Sequence, residues 1–174
     1  MDQAVKIEHR EQRLILRVLA RYRSLCGEAA LPRRAQIDPR LFGSDWRNCL
    51  LIDIDPQLEC SRFAFVGDGL RDPSWPTLER QSLADCGEGT LLALATGSLG
   101  RVLAKGVPVS SGGVGTHNGI PIVYRCILLP LAENQGRIDG VLGAANYREI
   151  PVVEEVHPLR EHPASANRRT SLMG

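Results

Sequence analysis

A chain of 174 residues with net charge +1, 43% hydrophobic and 24% charged, has the composition of a globular domain with extensions. It is long enough to bury a core without covalent staples. The near-zero charge gives no electrostatic case for nucleic acid or an anionic membrane, and no apolar run approaches the roughly 20 residues of a membrane-spanning helix.

The first element is a helix from Val5 to Cys26. Ile7, Leu14, Ile15, Val18, Leu19, Tyr22, Leu25 and Cys26 recur at three- and four-residue intervals, and Gly27 is placed to end it. Two readings of this apolar stripe stand side by side. In one the helix docks on its own sheet. In the other Leu14, Val18, Tyr22 and Leu25 form a seam that joins two copies of the chain. The segment Leu31-Pro-Arg-Arg-Ala-Gln-Ile-Asp-Pro39 follows. Its second proline comes after an aspartate suited to cap a helix, which predicts a fixed bend and one helical turn over Pro39–Phe42.

Ser44 or Asp45 then opens a short segment around Trp46. Residues 48–55, rich in branched apolar side chains and closed by Pro56, read as a strand. Ser61–Val66 alternates as a second, completing a hairpin across the Asp55-Pro56-Gln57 turn. Residues 70–88 are the least regular part, with Pro73 and Pro76 flanking Trp75 and one turn of helix expected over Ser82–Asp85. Thr90–Lys105 is helical by propensity, weakened by Gly97 and Gly100.

Three strand-like segments follow, over 107–114, 120–131 and 137–147. Asn118-Gly119 is a strong hairpin signal, because both turn positions tolerate positive φ, and Asn134-Gln135-Gly136 supplies the next turn. The result is an antiparallel meander, with no helix available for a parallel crossover. Ile120–Leu131 is apolar on both alternating faces, so both must be covered. The middle helices suit one face; the N-terminal helix or a partner chain must take the other. From Pro151 onward there is no periodic apolar pattern, and the tail is expected to be extended or disordered.

This order, and several motifs within it, resemble the PAS superfamily. The closer resemblance is to a bacterial family of small stand-alone PAS-like proteins, over residues 12 to 147. It rests on the Leu31-Pro32-Arg33 to Asp38-Pro39 bend and the acidic strand Leu51-Ile-Asp-Ile54. The aromatic strand Phe63-Ala-Phe-Val-Gly67, the run Leu128-Leu-Pro-Leu131 and the last strand Ile138–Gly143 complete it. Asp72-Pro-Ser-Trp-Pro76 stands where many relatives carry a glycine-containing loop and helix. The resemblance implies an α+β fold: a five-stranded antiparallel sheet with helices on one face and a flanking N-terminal helix. It also implies a sensory or regulatory role, with signal passing between the sheet and that helix. The expected organisation is helix 1–30, PAS-like domain 31–149 and tail 150–174. No ligand is implied, because the superfamily shares a fold and not a cofactor.

Candidate chemistry is sparse. Phe65, Trp75, Tyr124 and Arg125 are the candidate lining of a ligand pocket. Arg125 interrupts an apolar strand, and the structural expectation is pairing with Asp53, Asp139 or Glu133. Asp53 and Asp55 lie at i and i+2, but no histidine or nucleophile accompanies them, so no catalytic set is expected and the chain reads as a non-enzyme. Gly112-Gly-Val-Gly115 lies between two strands, where a hairpin explains it better than a phosphate loop. His117 falls at the hairpin tip and is expected to be solvated. The five cysteines, Cys26, Cys49, Cys60, Cys86 and Cys126, lack metal-ligand spacing and read as reduced thiols. Residues 70–105 hold no histidine to ligate haem and no flavin-reactive Asn-Cys-Arg setting. No haem, flavin, zinc or other cofactor is expected.

The expectation is therefore a cytoplasmic module without a secretory leader. It would act in trans on an unidentified signalling protein, as a homodimer, with a small molecule as an optional ligand. The rivals are a ligand-independent dimeric adaptor and, behind it, an enzyme on a PAS-like scaffold. A filled core would favour the first; convergent Asp53, Arg125 and Tyr124 would favour the second.

Overall fold

The computed structural model describes residues 2–27, 31–71, 81–133 and 136–151, with side chains from Arg13 onward. Helix α1 (Asp2–Leu25) leads to the bend. There Gln36 Oε1 accepts from the Arg33 N–H at 2.8 Å, and the Ala132 N–H donates to the Pro32 carbonyl at 3.0 Å, tying the bend to the sheet. Asp38 caps helix α2 (Pro39–Phe42) by accepting from the Arg40 N–H at 2.9 Å, the role its place before proline predicts. A 3-10 turn over Gly43–Asn48 then delivers the chain to the sheet.

Five strands form one antiparallel sheet: β1 (Cys49–Asp53), β2 (Arg62–Val66), β3 (Val109–His117), β4 (Ile120–Leu131) and β5 (Gly140–Glu149). Their order is β2-β1-β5-β4-β3. The fold is α+β, with the five-stranded antiparallel sheet that the resemblance implies, and the meander over the last three strands is its longest ladder. Asn118 (φ 52) and Gly119 (φ 75) both take positive φ at the β3–β4 turn, the conformation that selects Asn-Gly.

The region 90–105 differs from the single helix expected. It is two short helices, α3 (Leu91–Thr96) and α4 (Leu99–Lys105), parted at Gly97-Ser98. The break lets both apolar faces turn onto the sheet. Leu91, Leu92, Ala95 and Val102 are buried against Leu50, Ile52, Phe63, Ile122, Cys126, Leu128, Val141 and Ala145. The opposite sheet face carries Cys49, Leu51, Ile127, Leu129, Leu131, Leu142 and Ala144, covered by Leu14, Ile15, Val18 and Tyr22 of α1. So β4 is covered on both faces, and the N-terminal helix of the same chain provides the second cover.

Gly67, at the Val-Gly end of the aromatic strand, has a steric reason. A Cβ there would lie 2.3 Å from the Arg47 carbonyl oxygen. Backbone, unlike a side-chain tip, cannot swing away. The Gly67→Ala variant is expected to lose about 2–3 kcal/mol, the upper part of the overpacking range. Urea unfolding checks this, and a loss below about 0.5 kcal/mol would contradict it.

Candidate functional site

Where α1 meets the core, one carboxylate gathers two arginines. Arg17 and Arg21 lie one helical turn apart on the flank of the apolar stripe. Asp45, in the 3-10 turn, is only 5% exposed. Arg17 donates from Nε to Oδ2 at 2.8 Å and from Nη2 to Oδ1 at 2.6 Å. Arg21 Nη1 donates to Asp45 Oδ2 at 2.6 Å and to the Phe42 carbonyl at 2.9 Å. The guanidinium bonds from Arg17, and then from Arg21, hold the Asp45 carboxyl below its usual range, although its burial pushes the other way. A two-pronged guanidinium contact of this kind fixes orientation as well as charge.

The clamp continues on both sides. Phe42 meets Trp46 at a tilt, ring centroids 5.5 Å apart, and Trp46 stacks on Phe65 at 4.6 Å. Farther along α1, the buried Tyr22 hydroxyl donates to the Pro130 carbonyl at 2.7 Å. Burial and the neighbouring Cys26 raise the Tyr22 pKa, so the phenol keeps its proton. Cys49 donates to the Asp45 carbonyl at 3.4 Å, and burial pushes its thiol up to about 12. The junction is thus a set of directional contacts laid over an apolar stripe.

An open cleft of about 1180 Å³ lies at the end of the sheet where α1 exits. The end of α1 (Leu25), the bend (Arg33), the β1–β2 turn (Asp55), the end of α4 (Lys105) and the β4–β5 turn (Arg137, Ile138) border it. It holds three cations and the carboxylates of Asp55 and Glu133, so its charge is mixed. The layer between α3–α4 and the sheet is filled, among the described residues, by the apolar side chains named above. Its polar thread is Ser98 Oγ to Ser111 Oγ at 3.3 Å and Ser111 Oγ to Cys126 Sγ at 3.0 Å. Burial raises the Cys126 pKa, and burial with the Asp85 charge pushes the Cys86 thiol up to about 11, so both are thiols at neutral pH.

The residues singled out as pocket lining are not gathered. Tyr124 and Arg125 are successive on β4 and point to opposite faces. Tyr124 packs against the layer under α3 and α4, while Phe65 packs on the α1 side, stacked on Trp46. Trp75 lies outside the described residues. Arg125 is not paired with Asp53, Asp139 or Glu133. Its Nε is buried without a hydrogen-bond partner, and it sits level with Asn146, whereas Asp53 is level with Gly140 at the other end of β5. The candidate carboxylates have local work: Asp53 pairs with Arg34, Asp55 accepts from the Gln57 N–H at 2.8 Å, and Asp139 accepts from the Glu133 N–H at 3.1 Å.

His117 is not solvated. It is 6% exposed, accepts the Leu91 N–H on Nδ1 at 3.3 Å and meets the Tyr147 ring edge-on at 4.9 Å. Its place at the hairpin tip suggested water; the start of α3 folds over the tip instead. The seam Leu14, Val18 and Tyr22 is buried on this chain's own sheet, with Leu25 half-buried at its end, so a dimer built on it would need α1 to leave that sheet. Asp45 was legible only as a segment start. The signal for its role was the Arg17–Arg21 spacing beside the apolar stripe, which asks for a carboxylate from elsewhere in the chain.

Among the described residues no set of three histidine, cysteine or acidic side chains is arranged to hold a metal, and no helix is long and apolar enough to cross a membrane. No protein-family model matches the chain, and no curated protein matches it. Among solved structures it is similar to the light-state blue-light photoreceptor Aureochrome1 LOV, at 13% identity and TM-score 0.39, over 60% of this chain and 88% of that one. It is also similar to a fungal LOV domain photoreceptor, at 15% identity and TM-score 0.42, over 78% of this chain and 91% of the other.

Proposed function

We propose that this chain is a sensory or regulatory PAS-like module that acts through protein contacts in trans and not by catalysis. Its output is the position of α1 on the sheet. The observation that carries this reading is the clamp. One buried carboxylate, held by two arginines whose side chains are 48% and 34% exposed, pins a helix that otherwise rests on a non-directional apolar stripe. Such an element has two arrangements, docked and released, and a partner that binds the released helix shifts the balance by its difference in affinity. A small molecule has a place in the end cleft, which borders the exit of α1 and the ends of β1 and β4. The filled layer under α3 and α4 supports a second reading, a ligand-independent adaptor.

Amide hydrogen exchange tests the output. Amides of α1 from Arg13 to Leu25 are expected to open at lower free energy than those of β4 and β5, as a separate unit. The Asp45→Asn variant should raise α1 exchange and leave the sheet unchanged. If α1 and the central strands exchange only together, by global unfolding, α1 is not an output and the reading fails. Native mass spectrometry of gently purified protein separates the two versions: a retained small molecule, lost in Leu103→Trp, supports the sensor, and bare protein supports the adaptor.

A further inference from the structure

The sheet has two edges, and they are treated differently. The β2 edge is covered: Phe63 N–H donates to the Gln81 carbonyl, Leu83 N–H donates to the Ser61 carbonyl, each at 3.1 Å, and Arg62 bridges to Ser82. Arg62 also places a charge there. The β3 edge has none of these protections among the described residues. It runs nine residues from Val109 to His117, with an unbroken register against β4, and contains no proline and neither lysine, arginine, aspartate nor glutamate. Folded proteins ordinarily blunt long open edges with charge, proline or a bulge.

The direction of its free groups follows from the neighbouring ladder. Ile150 N–H donates to the Pro121 carbonyl at 2.8 Å and Asp139 N–H to the Leu131 carbonyl at 3.2 Å, so the odd-numbered residues of β4 face β5. The even-numbered ones face β3 and pair with odd-numbered residues of β3. Ser110, Gly112, Val114 and Thr116 therefore turn their N–H and carbonyl groups outward, and all four are exposed. No backbone bond from another described segment reaches them.

We infer that the β3 edge is a self-association site, where a second copy of this chain adds its own β3 antiparallel about a two-fold axis at Gly113. The sequence complements itself about that axis. Gly112 falls opposite Val114 of the partner copy, and Ser110 opposite Thr116. Val114, 71% exposed in the single chain, covers the bare backbone of the partner's glycine, and Ser–Thr is a favourable cross-strand pair. No like charges meet, because the strand carries no acidic or basic residue of those four types. This is what selects a second copy over a charged peptide. Two five-stranded sheets become one of ten, with an isologous contact. The surface is separate from α1, and the inference does not depend on the reading of α1 as the output.

Sedimentation equilibrium of the full chain tests it. Wild-type protein is expected to dimerise, and Val114→Pro to raise the dissociation constant about 100-fold or more. The lost N–H at Val114 points away from β4, so the ladder within the chain survives; circular dichroism checks this. Should Val114→Pro fail to fold, Val114→Lys is read instead, since an edge lysine blocks pairing and keeps the backbone donor. Register is tested with Gly113→Cys in a Cys60→Ser background. Residues facing across a non-hydrogen-bonded pair lie about 4.5 Å apart, within disulfide reach, so mild oxidation should link two copies faster than it links Leu16→Cys, on the exposed flank of α1. A wild-type monomer at about 300 μM overturns the inference. So does a dimer unmoved by both Val114 variants, or Gly113→Cys linking no faster than Leu16→Cys.

Discussion

Replacing Leu14 and Val18 together by glutamate is expected to release α1 from the sheet while β1–β5 remain paired. Val18 is fully buried and Leu14 is 5% exposed, both against Ile127, Leu129 and Leu142. A carboxylate does not stay ionised in such a place, and neutralising it still leaves polar atoms without partners. Losing two core aliphatic contacts costs on the order of 5 kcal/mol, more than a helix in contact with one sheet face can absorb. The released state bares Ile127, Leu129, Leu131 and Leu142, so dye binding and proteolysis within α1 should rise together. The β-sheet signal in circular dichroism should persist. Unchanged α1 protection in the variant would show that the stripe does not hold the helix.

The second large effect is electrostatic. Removing both arginines, as Arg17→Ala with Arg21→Ala, leaves the Asp45 carboxylate buried without its charged partners. Stripping a buried charge of its partner costs about 3–5 kcal/mol. The lower figure is expected, because both arginines reach in from partly exposed positions. The pH dependence has a defined sign. Asp45 has its pKa depressed below 3.8 by the bonds from Arg17 and Arg21. A depressed carboxylate contributes stability that is present above its unfolded pKa and is lost as pH falls through the folded value. Wild-type protein should therefore lose α1 docking as pH falls from about 4, with the ordinary aspartate value as the upper bound of the window. Asp45→Asn should be weaker at neutral pH and flat across that window. Urea midpoints measured between pH 3 and 7 decide it, and parallel profiles for wild type and Asp45→Asn would exclude the clamp as the cause.

Much of this architecture is determined by local sequence. The stripe of α1, the Asp38-Pro39 cap, the Asn118-Gly119 turn and the alternation of β4 are each set by neighbours within a few residues. Periodicity and φ preference act at that range, so these elements are legible without the fold. The need to cover β4 on both faces is likewise written in its composition, although not which chain supplies the cover.

What only the tertiary structure decided are the contacts between segments far apart in sequence. Arg17 and Arg21 reach Asp45 across 28 and 24 positions, and Tyr22 reaches Pro130 across 108. Nothing local marks Asp45 above the other aspartates. Arg125 shows the same in reverse: Asp53, Asp139 and Glu133 were reasonable partners by charge, yet the ladder sets Asp53 at the opposite end of β5. His117 is buried because α3 begins over the β3–β4 tip, a contact across 26 positions that propensity alone does not place. Side-chain pairing depends on register and on how helices cross the sheet, and those follow from burying both faces of β4 at once rather than from any single stretch of residues.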